Sequence, residues 1–520
     1  MRDHAVVPGQ EGEQPVELAV EVLIVGAGFS GIGAAIRLRE AGFEDLLVLE
    51  KAADIGGTWR DNTYPGCAVD VPSTLYSYSF APNPDWSRVF ARQPEIHDYL
   101  RATAARYGVT PLIRFHTEVL RADWDARASR WRVRTTRGTF TAAFLVVSCG
   151  PWHQPFVPEL PGLDSFPGPV MHTARWDDRV TLAGKRVAVV GTGASAVQVI
   201  PEIAPLVADL HVFQRTPPWV LPRPDMIVPA PVRWLLRRLP PVQQAVRLLQ
   251  YTGQEGLGHA LRHPRLLPPL QAAALLNLRL IVRDRALRAA LTPRYVIGCK
   301  RILTSSTYYQ ALARPSTSVH VGAVRAIQGQ RVIGADGIAA EVDVIILATG
   351  FEQADFPVGT WLHDGQGRAL RDRWAGTPRA YLGSTVSGLP NLFLLLGPNL
   401  LTGHSSALDV LERQLGYLVE ALTAIRGRRG CSFEVRAAVE DSYNRDLQAA
   451  LAPTVYNAGG CASAYLTSDG RNSFCWPWST ARLSRRLSAF DADDYLITVN
   501  PDAARPGTRH PRRCSASFPG

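Results

Sequence analysis

Short apolar runs, each followed by a glycine-rich or polar turn, recur along the chain. They predict buried strands at EVLIV (21–25), LLVLE (46–50), FLVV (144–147), RVAVV (186–190), LHVFQ (210–214) and DVIIL (343–347). Residues 218–297 differ, because their apolar residues recur at helical spacing among arginines. The pattern predicts an α/β fold with two strand–helix–strand units and a helical insertion.

The first of these units carries the spacing G-x-G-x-x-G at Gly26, Gly28 and Gly31. Glycines there permit a tight turn and bring backbone N–H groups close to a pyrophosphate at the positive end of the next helix. The unit's second strand ends at Glu50, whose carboxylate favours a free ribose 2′-hydroxyl and repels a 2′-phosphate. This first dinucleotide unit is predicted to bind FAD or NAD.

A second dinucleotide unit repeats the pattern at Gly191, Gly193 and Ala196. Arg215 stands at the same offset from Gly191 as Glu50 does from Gly26, and Thr216 follows it. A guanidinium beside a hydroxyl is suited to a 2′-phosphate, so this unit is predicted to bind NADPH. Together the units predict a flavoprotein in which NADPH delivers hydride to FAD.

Composition limits the alternatives. The chain of 520 residues is long enough for more than one domain, and its 46% hydrophobic and 20% charged content is ordinary for a soluble enzyme. The N-terminal segment has neither a basic flank nor an apolar core, so we expect a cytoplasmic protein. The net charge of +10 suits phosphorylated cofactors, nucleic acid or an anionic membrane, and the motifs favour the cofactors over nucleic acid.

The cysteines are seven in number and scattered. Their spacing excludes a CxxC redox pair and a zinc knuckle, so no metal site is predicted and we expect reduced thiols.

Two longer motifs carry a family resemblance. The stretch FPGPVMHTARWD contains Phe166, Gly168, His172, Trp176 and Asp177, and it matches the pattern F-x-G-x-x-x-H-x-x-x-W-[P/D]. The stretch GGTWRDNTYPGCAVD (56–70) matches a second pattern, [A/G]-G-x-W-x-x-x-x-[F/Y]-P-[G/M]-x-x-x-D. On both motifs the chain resembles the class B flavin monooxygenases, and within them the Baeyer–Villiger monooxygenases.

The resemblance implies roles for particular residues. Gly57, Thr58, Trp59 and Asp70 would serve the FAD site, and Asp70 would orient Arg301, which reaches the flavin. Lys300 would help to hold the NADPH 2′-phosphate, and Ala348, Thr349 and Gly350 would mark the return to the flavin domain. His172 would be structural and conformational; the alternative that His172 and Trp176 only pack a domain junction stays open.

The activity implied is oxygen insertion. Reduced flavin would add O2 at C4a, and the anionic peroxide, stabilised by Arg301, would attack a ketone to give an ester or lactone. The alternatives are an N- or S-oxygenating relative, an NADPH-dependent disulfide reductase and a nucleotide sensor. Tyr456 and Ala464 depart from the aromatic residues usual in relatives, so the substrate stays open.

The predicted domains follow from these positions. They are an FAD-binding domain (18–150 and 382–497), an NADPH-binding domain (151–217 and 298–381), the helical insertion (218–297), a disordered arm (1–17) and a disordered basic tail (498–520). Pro240 and Pro241 are expected to break the insertion into short helices. Its basic apolar helices are expected to cover the substrate entrance or to pack on the NADPH domain; contact with a membrane is the alternative.

Overall fold

Two largely parallel sheets organise the chain in a computed structural model that describes residues 18–352, 356–426 and 431–500. The strands are β1 (Leu18–Val25), β2 (Leu46–Leu49), β3 (Ile113–Arg114), β4 (Val119–Asp125), β5 (Arg130–Thr135), β6 (Gly138–Val147), β7 (Val170–His172), β8 (Arg186–Val190), β9 (Asp209–Gln214), β10 (Val220–Leu221), β11 (Leu303–Thr304), β12 (Thr317–Val321), β13 (Val324–Gln328), β14 (Arg331–Gly334), β15 (Ala339–Glu341), β16 (Val344–Leu347), β17 (Leu362–His363), β18 (Leu392–Leu394), β19 (Cys431–Val435) and β20 (Tyr495–Val499).

The α-helices cover the faces of the sheets and form the insertion. They are α1 (Phe29–Glu40), α2 (Thr58–Asp61), α3 (Gln93–Arg106), α4 (Ala194–Ile203), α5 (Ala230–Arg238), α6 (Pro240–Arg262), α7 (Pro268–Ile281), α8 (Arg285–Ala290), α9 (Tyr308–Leu312), α10 (Leu370–Trp374), α11 (Ala407–Ile425), α12 (Ala437–Leu451), α13 (Val455–Ala458) and α14 (Thr480–Arg486).

The first sheet contains the first dinucleotide unit. Its strand order is β17-β4-β5-β6-β1-β2-β3, with β18 also paired to β6. β1 runs parallel to β2 and to β6, with Val22 opposite Leu46 on one side and Phe144 on the other. All four residues of β2 are buried, as expected for a strand covered on both faces.

The second sheet has the order β12-β9-β8-β16-β7, and each neighbouring pair is parallel. β8 and β9 carry the second dinucleotide unit, with Val189 opposite Val212. The chain leaves the first sheet after β6 and later returns to it, so one unit is nested inside the other. The predicted α/β class with two nested Rossmann-like units is confirmed.

The return to the first sheet comes earlier than residue 382, the boundary expected from sequence. β17 pairs with β4, with Leu362 opposite Ala122, and Phe356, Leu370 and Trp374 join the core of the first sheet. The segment 356–381 therefore packs with the first unit rather than the second. The sequence carries no signal for this packing, because the segment bears no nucleotide motif.

The chain ends also differ in part from expectation. Residues 498 and 499, expected in a disordered tail, belong to β20, where Val499 pairs with Cys431. Asn500 donates a hydrogen bond of 2.9 Å to the Ala126 carbonyl. Antiparallel pairing with β19 thus extends the ordered chain beyond residue 497. The expected arm 1–17 and the rest of the tail, 501–520, lie outside the described residues.

Four helices, α5 to α8, form most of the insertion. Prolines occupy the first turns of α6 and α7, where a missing N–H costs little, so the prolines separate the helices as predicted. However, α6 spans 23 residues and is not short. Within the described residues, no helix combines the length and the hydropathy needed to cross a bilayer.

One disulfide corrects the expectation of reduced thiols. Cys299 and Cys461 are bonded, with Cα atoms 6.2 Å apart across a sequence separation of 162. The Val296 N–H donates to the Gly459 carbonyl at 2.9 Å and brings the two segments together. Short-range cysteine spacing cannot detect such a pair. Neither cysteine lines the two cavities described below, so the bond gives no support to the disulfide reductase alternative.

Candidate active site

A first cavity of about 420 Å³ lies at the carboxyl end of β1. The predicted residues that line it are Gly26, Gly28, Glu50, Gly57, Thr58 and Trp59. Gly31 lies behind the turn, where a Cβ atom would stand 1.8 Å from the Gly26 carbonyl oxygen. Gly31 therefore permits the tight turn, and the other glycines leave room for a ligand.

The turn fits a dinucleotide pyrophosphate. α1 begins after Gly28 without a side-chain cap, so backbone N–H groups of its first turn lack a capping side chain. Gly57 has φ +52° and faces Gly28, whose Cα would be 3.4 Å from an added Cβ. A side chain at either glycine would narrow the space beside the turn, where a dinucleotide pyrophosphate would fit.

Glu50 is held in place by several donors. Its side chain is 5% exposed, and its two carboxylate oxygens accept hydrogen bonds of 2.9 Å from the backbone N–H groups of Ala27 and Ala52. Arg60 also donates to it at 2.9 Å. Arg60, in α2 inside the second motif, is not among the site residues predicted from the sequence. The carboxylate keeps a fixed orientation at the edge of the cavity.

A second cavity of about 620 Å³ lies between the two units. It brings together most of the other predicted site residues, namely Asp70, Gly191, Gly193, Arg215, Thr216, Lys300, Arg301, Ala348, Thr349 and Gly350. Thr58 and Trp59 line both cavities. Ala196 is fully buried in α4, and Gly191 lies so close to β16 that a Cβ would stand 2.4 Å from the Ala348 carbonyl oxygen.

Two cations face each other in this cavity. Burial lowers the pKa of Lys300, and the charge of Arg215 lowers it further. The Lys300 ammonium also lies 5.5 Å from the centre of the Tyr295 ring. Like charges gathered in this way favour an anionic ligand, because an anion relieves their repulsion. α4 begins after Gly193 without a side-chain cap, which adds a second anion-binding feature.

Arg301 and Asp70 form an ion pair across the two units. The Arg301 Nε donates to Asp70 Oδ2 at 2.6 Å, and the side chains remain 33% and 34% exposed to the cavity. Burial raises the pKa of Asp70, but the charge and hydrogen bond of Arg301, with a smaller contribution from Arg223, lower it by more, so the net pKa lies below the usual value. The carboxylate is ionised at neutral pH, and both side chains line the cavity.

The end of the second motif packs on the second unit. The Tyr64 hydroxyl donates to Gln198 Oε1 at 2.8 Å, and the Gln198 amide donates to the Ala68 carbonyl at 2.9 Å. Gly66 has φ +82°, and a Cβ there would stand 2.6 Å from the Gln198 carbonyl oxygen. Gln198 is not among the predicted site residues, because no motif marks that position on α4.

The first family motif, residues 166–177, is called the fingerprint below and is mainly a packing element. Phe166 is buried in the core of the second unit. A Cβ on Gly168 would stand 2.2 Å from the Asp343 carbonyl oxygen, so only glycine allows this approach to β16. This accounts for the glycine of the motif, whose φ is not positive.

The three other fingerprint residues differ in environment. His172 ends β7, its Nδ1 accepts from the Ala174 N–H at 3.0 Å, and burial lowers its pKa. Its ring lies edge-on to Phe351, a cavity residue, at 6.2 Å. Trp176 packs against the main core, whereas Asp177 lies at the surface and pairs with Arg179 at 2.8 Å. His172 is thus the fingerprint residue next to the cavity wall.

Aromatic residues form an apolar wall of the second cavity. Tyr465 stacks on Phe474 at 5.0 Å, and Phe474 lies 6.4 Å from Trp152. Ala464 also lines the cavity and is exposed to it. Tyr456 lies behind the wall, where its hydroxyl accepts from the Gly403 N–H at 3.3 Å. Of the two departures noted in the sequence, Ala464 therefore shapes the cavity directly.

Two dinucleotide units that share one cavity define a nicotinamide-dependent flavoprotein, and comparisons with known proteins agree. A family model described as pyridine nucleotide-disulphide oxidoreductase matches residues 23–231. A Baeyer–Villiger monooxygenase from Streptomyces coelicolor is 44% identical, covering 94% of this chain and 95% of the relative. One from Pseudomonas aeruginosa is also 44% identical, over 93% and 92%.

Solved structures of other monooxygenases share the fold of this chain. An oxidized steroid monooxygenase bound to NADP matches with a TM-score of 0.81 and 29% identity, over 92% of this chain and 99% of the other. A cyclohexanone monooxygenase from Rhodococcus sp. Phi1 bound to NADP+ matches with a TM-score of 0.82 and 25% identity, over 93% and 100%. The chain belongs to the Baeyer–Villiger monooxygenase family, and the predicted family is confirmed.

Proposed function

We propose that this enzyme binds FAD in the first cavity and NADPH in the second, and that it uses O2 to insert an oxygen atom beside a ketone carbonyl. The product is an ester or a lactone. The observation that carries the proposal is the Arg301–Asp70 pair, 2.6 Å apart, inside a cavity lined by both units. A cation held there is suited to stabilising negative charge that develops on a substrate oxygen.

FAD is assigned to the turn at the end of β1. Gly26, Gly28 and Gly57 leave space for its pyrophosphate, and Glu50 accepts hydrogen bonds from its ribose. Bound FAD supplies the hydride acceptance and the oxygen activation that no amino-acid side chain provides. Trp59 lines both cavities and so stands at the boundary between the two proposed cofactor sites.

NADPH is assigned to the second unit on charge. Arg215 and Lys300 face the cavity together, and Thr216 adds a hydroxyl at the end of β9. This set matches a 2′-phosphate, which accepts bidentate hydrogen bonds from a guanidinium and neutralises the ammonium. Gly191 and Gly193 leave the turn free for the pyrophosphate.

Arg301 stabilises the oxyanion that forms on the substrate, and Asp70 orients the Arg301 guanidinium. Burial lowers the pKa of the guanidinium, but Asp70 raises it more, so the net pKa lies above the usual value. Arg301 therefore keeps its proton and acts as a fixed positive charge rather than as an acid. The ionised Asp70 binds Nε and leaves the terminal nitrogens free to face the carbonyl oxygen.

The substrate is an apolar ketone, and O2 is the second substrate. Phe156, Phe351, Tyr465 and Phe474 line the same cavity as Arg301 and offer no charge to a polar substrate. An apolar wall also excludes water, which slows the loss of activated oxygen as hydrogen peroxide.

Product analysis tests this function. The purified, FAD-loaded enzyme is supplied with NADPH, ¹⁸O2 and a panel of cyclic and open-chain ketones, with thioethers in parallel. We expect esters or lactones that carry one ¹⁸O atom and an NADPH consumption that rises with ketone. Sulfoxides without any ester would assign heteroatom oxygenation instead. NADPH consumption matched only by hydrogen peroxide across the whole panel would refute the proposal.

A further inference from the structure

A second guanidinium, that of Arg223, reaches the loop that carries Asp70. Arg223 follows β10, which pairs in parallel with β11, and Arg301 stands just before β11. The Arg223 N–H donates to Ser306 Oγ at 3.1 Å, and the same hydroxyl donates back to the Arg223 carbonyl at 2.8 Å. The two arginines are therefore anchored to one small two-stranded sheet, which joins the start of the insertion to the second unit.

The Arg223 side chain crosses to the first unit. Its Nη2 donates to the Val69 carbonyl at 2.8 Å, next to Asp70 in sequence. Its guanidinium carbon lies 4.6 Å from the centre of the Phe90 ring, a cation–π contact with the first unit. The Arg223 Nε is buried and has no hydrogen-bond partner among the described residues. A guanidinium desolvated in this way, with a single side-chain hydrogen bond, requires compensation by a nearby carboxylate.

Asp70 provides part of that compensation. Burial lowers the pKa of Arg223, and Asp225 and Asp70 raise it in that order, with a net value below the usual one. In return, Arg223 lowers the pKa of Asp70 after the larger effect of Arg301. Asp225 is also engaged elsewhere, because it pairs with Arg88 at 3.1 Å.

We propose that Arg223 is a positioning residue for oxygen transfer, because it fixes the Asp70 loop from the second unit so that Asp70 keeps Arg301 aimed at the substrate. The inference rests on the proposed function and adds a residue to it. Arg223 itself does not line the cavity, so it acts through Asp70 and not on the substrate.

The other groups that face Asp70 do not compete for this role. Tyr64, Tyr76 and Tyr465 each interact with the Asp70 charge. Burial raises the pKa of all three phenols, so they are neutral at working pH. The cations that hold Asp70 ionised are therefore Arg301 and Arg223. Loss of Arg223 raises the pKa of Asp70, and the acid limb of the activity profile moves to higher pH.

The test compares Arg223→Met, which removes the charge and keeps the length, with Arg223→Lys, which keeps the charge. Arg237→Met is the matched control, because Arg237 lies in the same insertion and pairs with Asp85 at the surface. The first readout is hydrogen–deuterium exchange of residues 64–71 in the FAD-loaded protein. We expect faster exchange in Arg223→Met, partial recovery in Arg223→Lys and wild-type exchange in the control.

The second readout is the pH profile of ester formation. In Arg223→Met we expect the acid limb of kcat to move up by about one pH unit, while the KM for NADPH changes less than about threefold. In Arg223→Lys, which keeps the charge, the acid limb should return towards its wild-type pH. A limb that stays in place, or exchange at residues 64–71 that does not change, overturns the proposal. If wild type forms no ester, the proposed function fails on its own, whereas the exchange experiment still reports on Arg223.

Discussion

Replacing Asp70 by asparagine removes a charge from the site and leaves its volume unchanged. Breaking a fully buried ion pair costs about 3–5 kcal/mol, because one charge stays uncompensated. The Arg301 and Asp70 side chains are 33% and 34% exposed, so solvent screens part of that cost. We therefore expect Asp70→Asn to lose about 1–3 kcal/mol of the transition-state stabilisation that a well-oriented Arg301 provides. At 1.36 kcal/mol per factor of ten, kcat/KM for the ketone should fall between about 5-fold and 150-fold.

The assay measures ester formation, hydrogen peroxide release and NADPH consumption in the same reaction. Asp70→Asn should shift product from ester towards peroxide, because Arg301 no longer stabilises the substrate oxyanion in a fixed orientation. The acid limb that reflects protonation of Asp70 should also disappear, since asparagine does not titrate. Asp85→Asn, at a surface pair with Arg237, is the control. If Asp70→Asn keeps more than half of the wild-type kcat/KM and the same acid limb, the orienting role is wrong.

Other variants test the separate parts of the site. Arg215→Ala should raise the KM for NADPH by about 10- to 100-fold and leave that for NADH within about threefold, because only NADPH carries the 2′-phosphate; steady-state kinetics with both coenzymes checks this. Gly31→Ala should reduce the FAD content of purified protein, measured by absorbance, because its Cβ meets the Gly26 oxygen at 1.8 Å. Cys461→Ser should lower the free energy of unfolding by about 2–5 kcal/mol in non-reducing denaturant titrations.

Local motifs predicted much of the site. The positions of Gly26, Gly28, Gly191 and Gly193 follow from spacing alone, because a pyrophosphate cradle is built from one turn and the start of one helix. These glycines line the two cavities. Arg301 and Asp70 were paired by family resemblance, and the distance of 2.6 Å agrees.

Features that depend on long-range packing were not predictable in this way. The Cys299–Cys461 bond spans 162 positions, and the segment 356–381 joins the first sheet through pairing of β17 with β4. Arg223 and Gln198 carry no motif, since their role depends on which loop of the other unit lies opposite. Asp177 shows the reverse case: it matches a motif position, yet it lies at the surface with Arg179.

The second motif, residues 56–70, makes sense as a single element that serves both units. Its first half, with Gly57 and Trp59, lines the first cavity. Its second half meets the other unit through Tyr64 on Gln198, Val69 on Arg223 and Asp70 on Arg301. Any shift of the second unit therefore changes the position of Arg301 relative to Asp70 through the same short loop. The motif therefore extends from the glycine turn at the first cavity to the Arg301–Asp70 pair in the second.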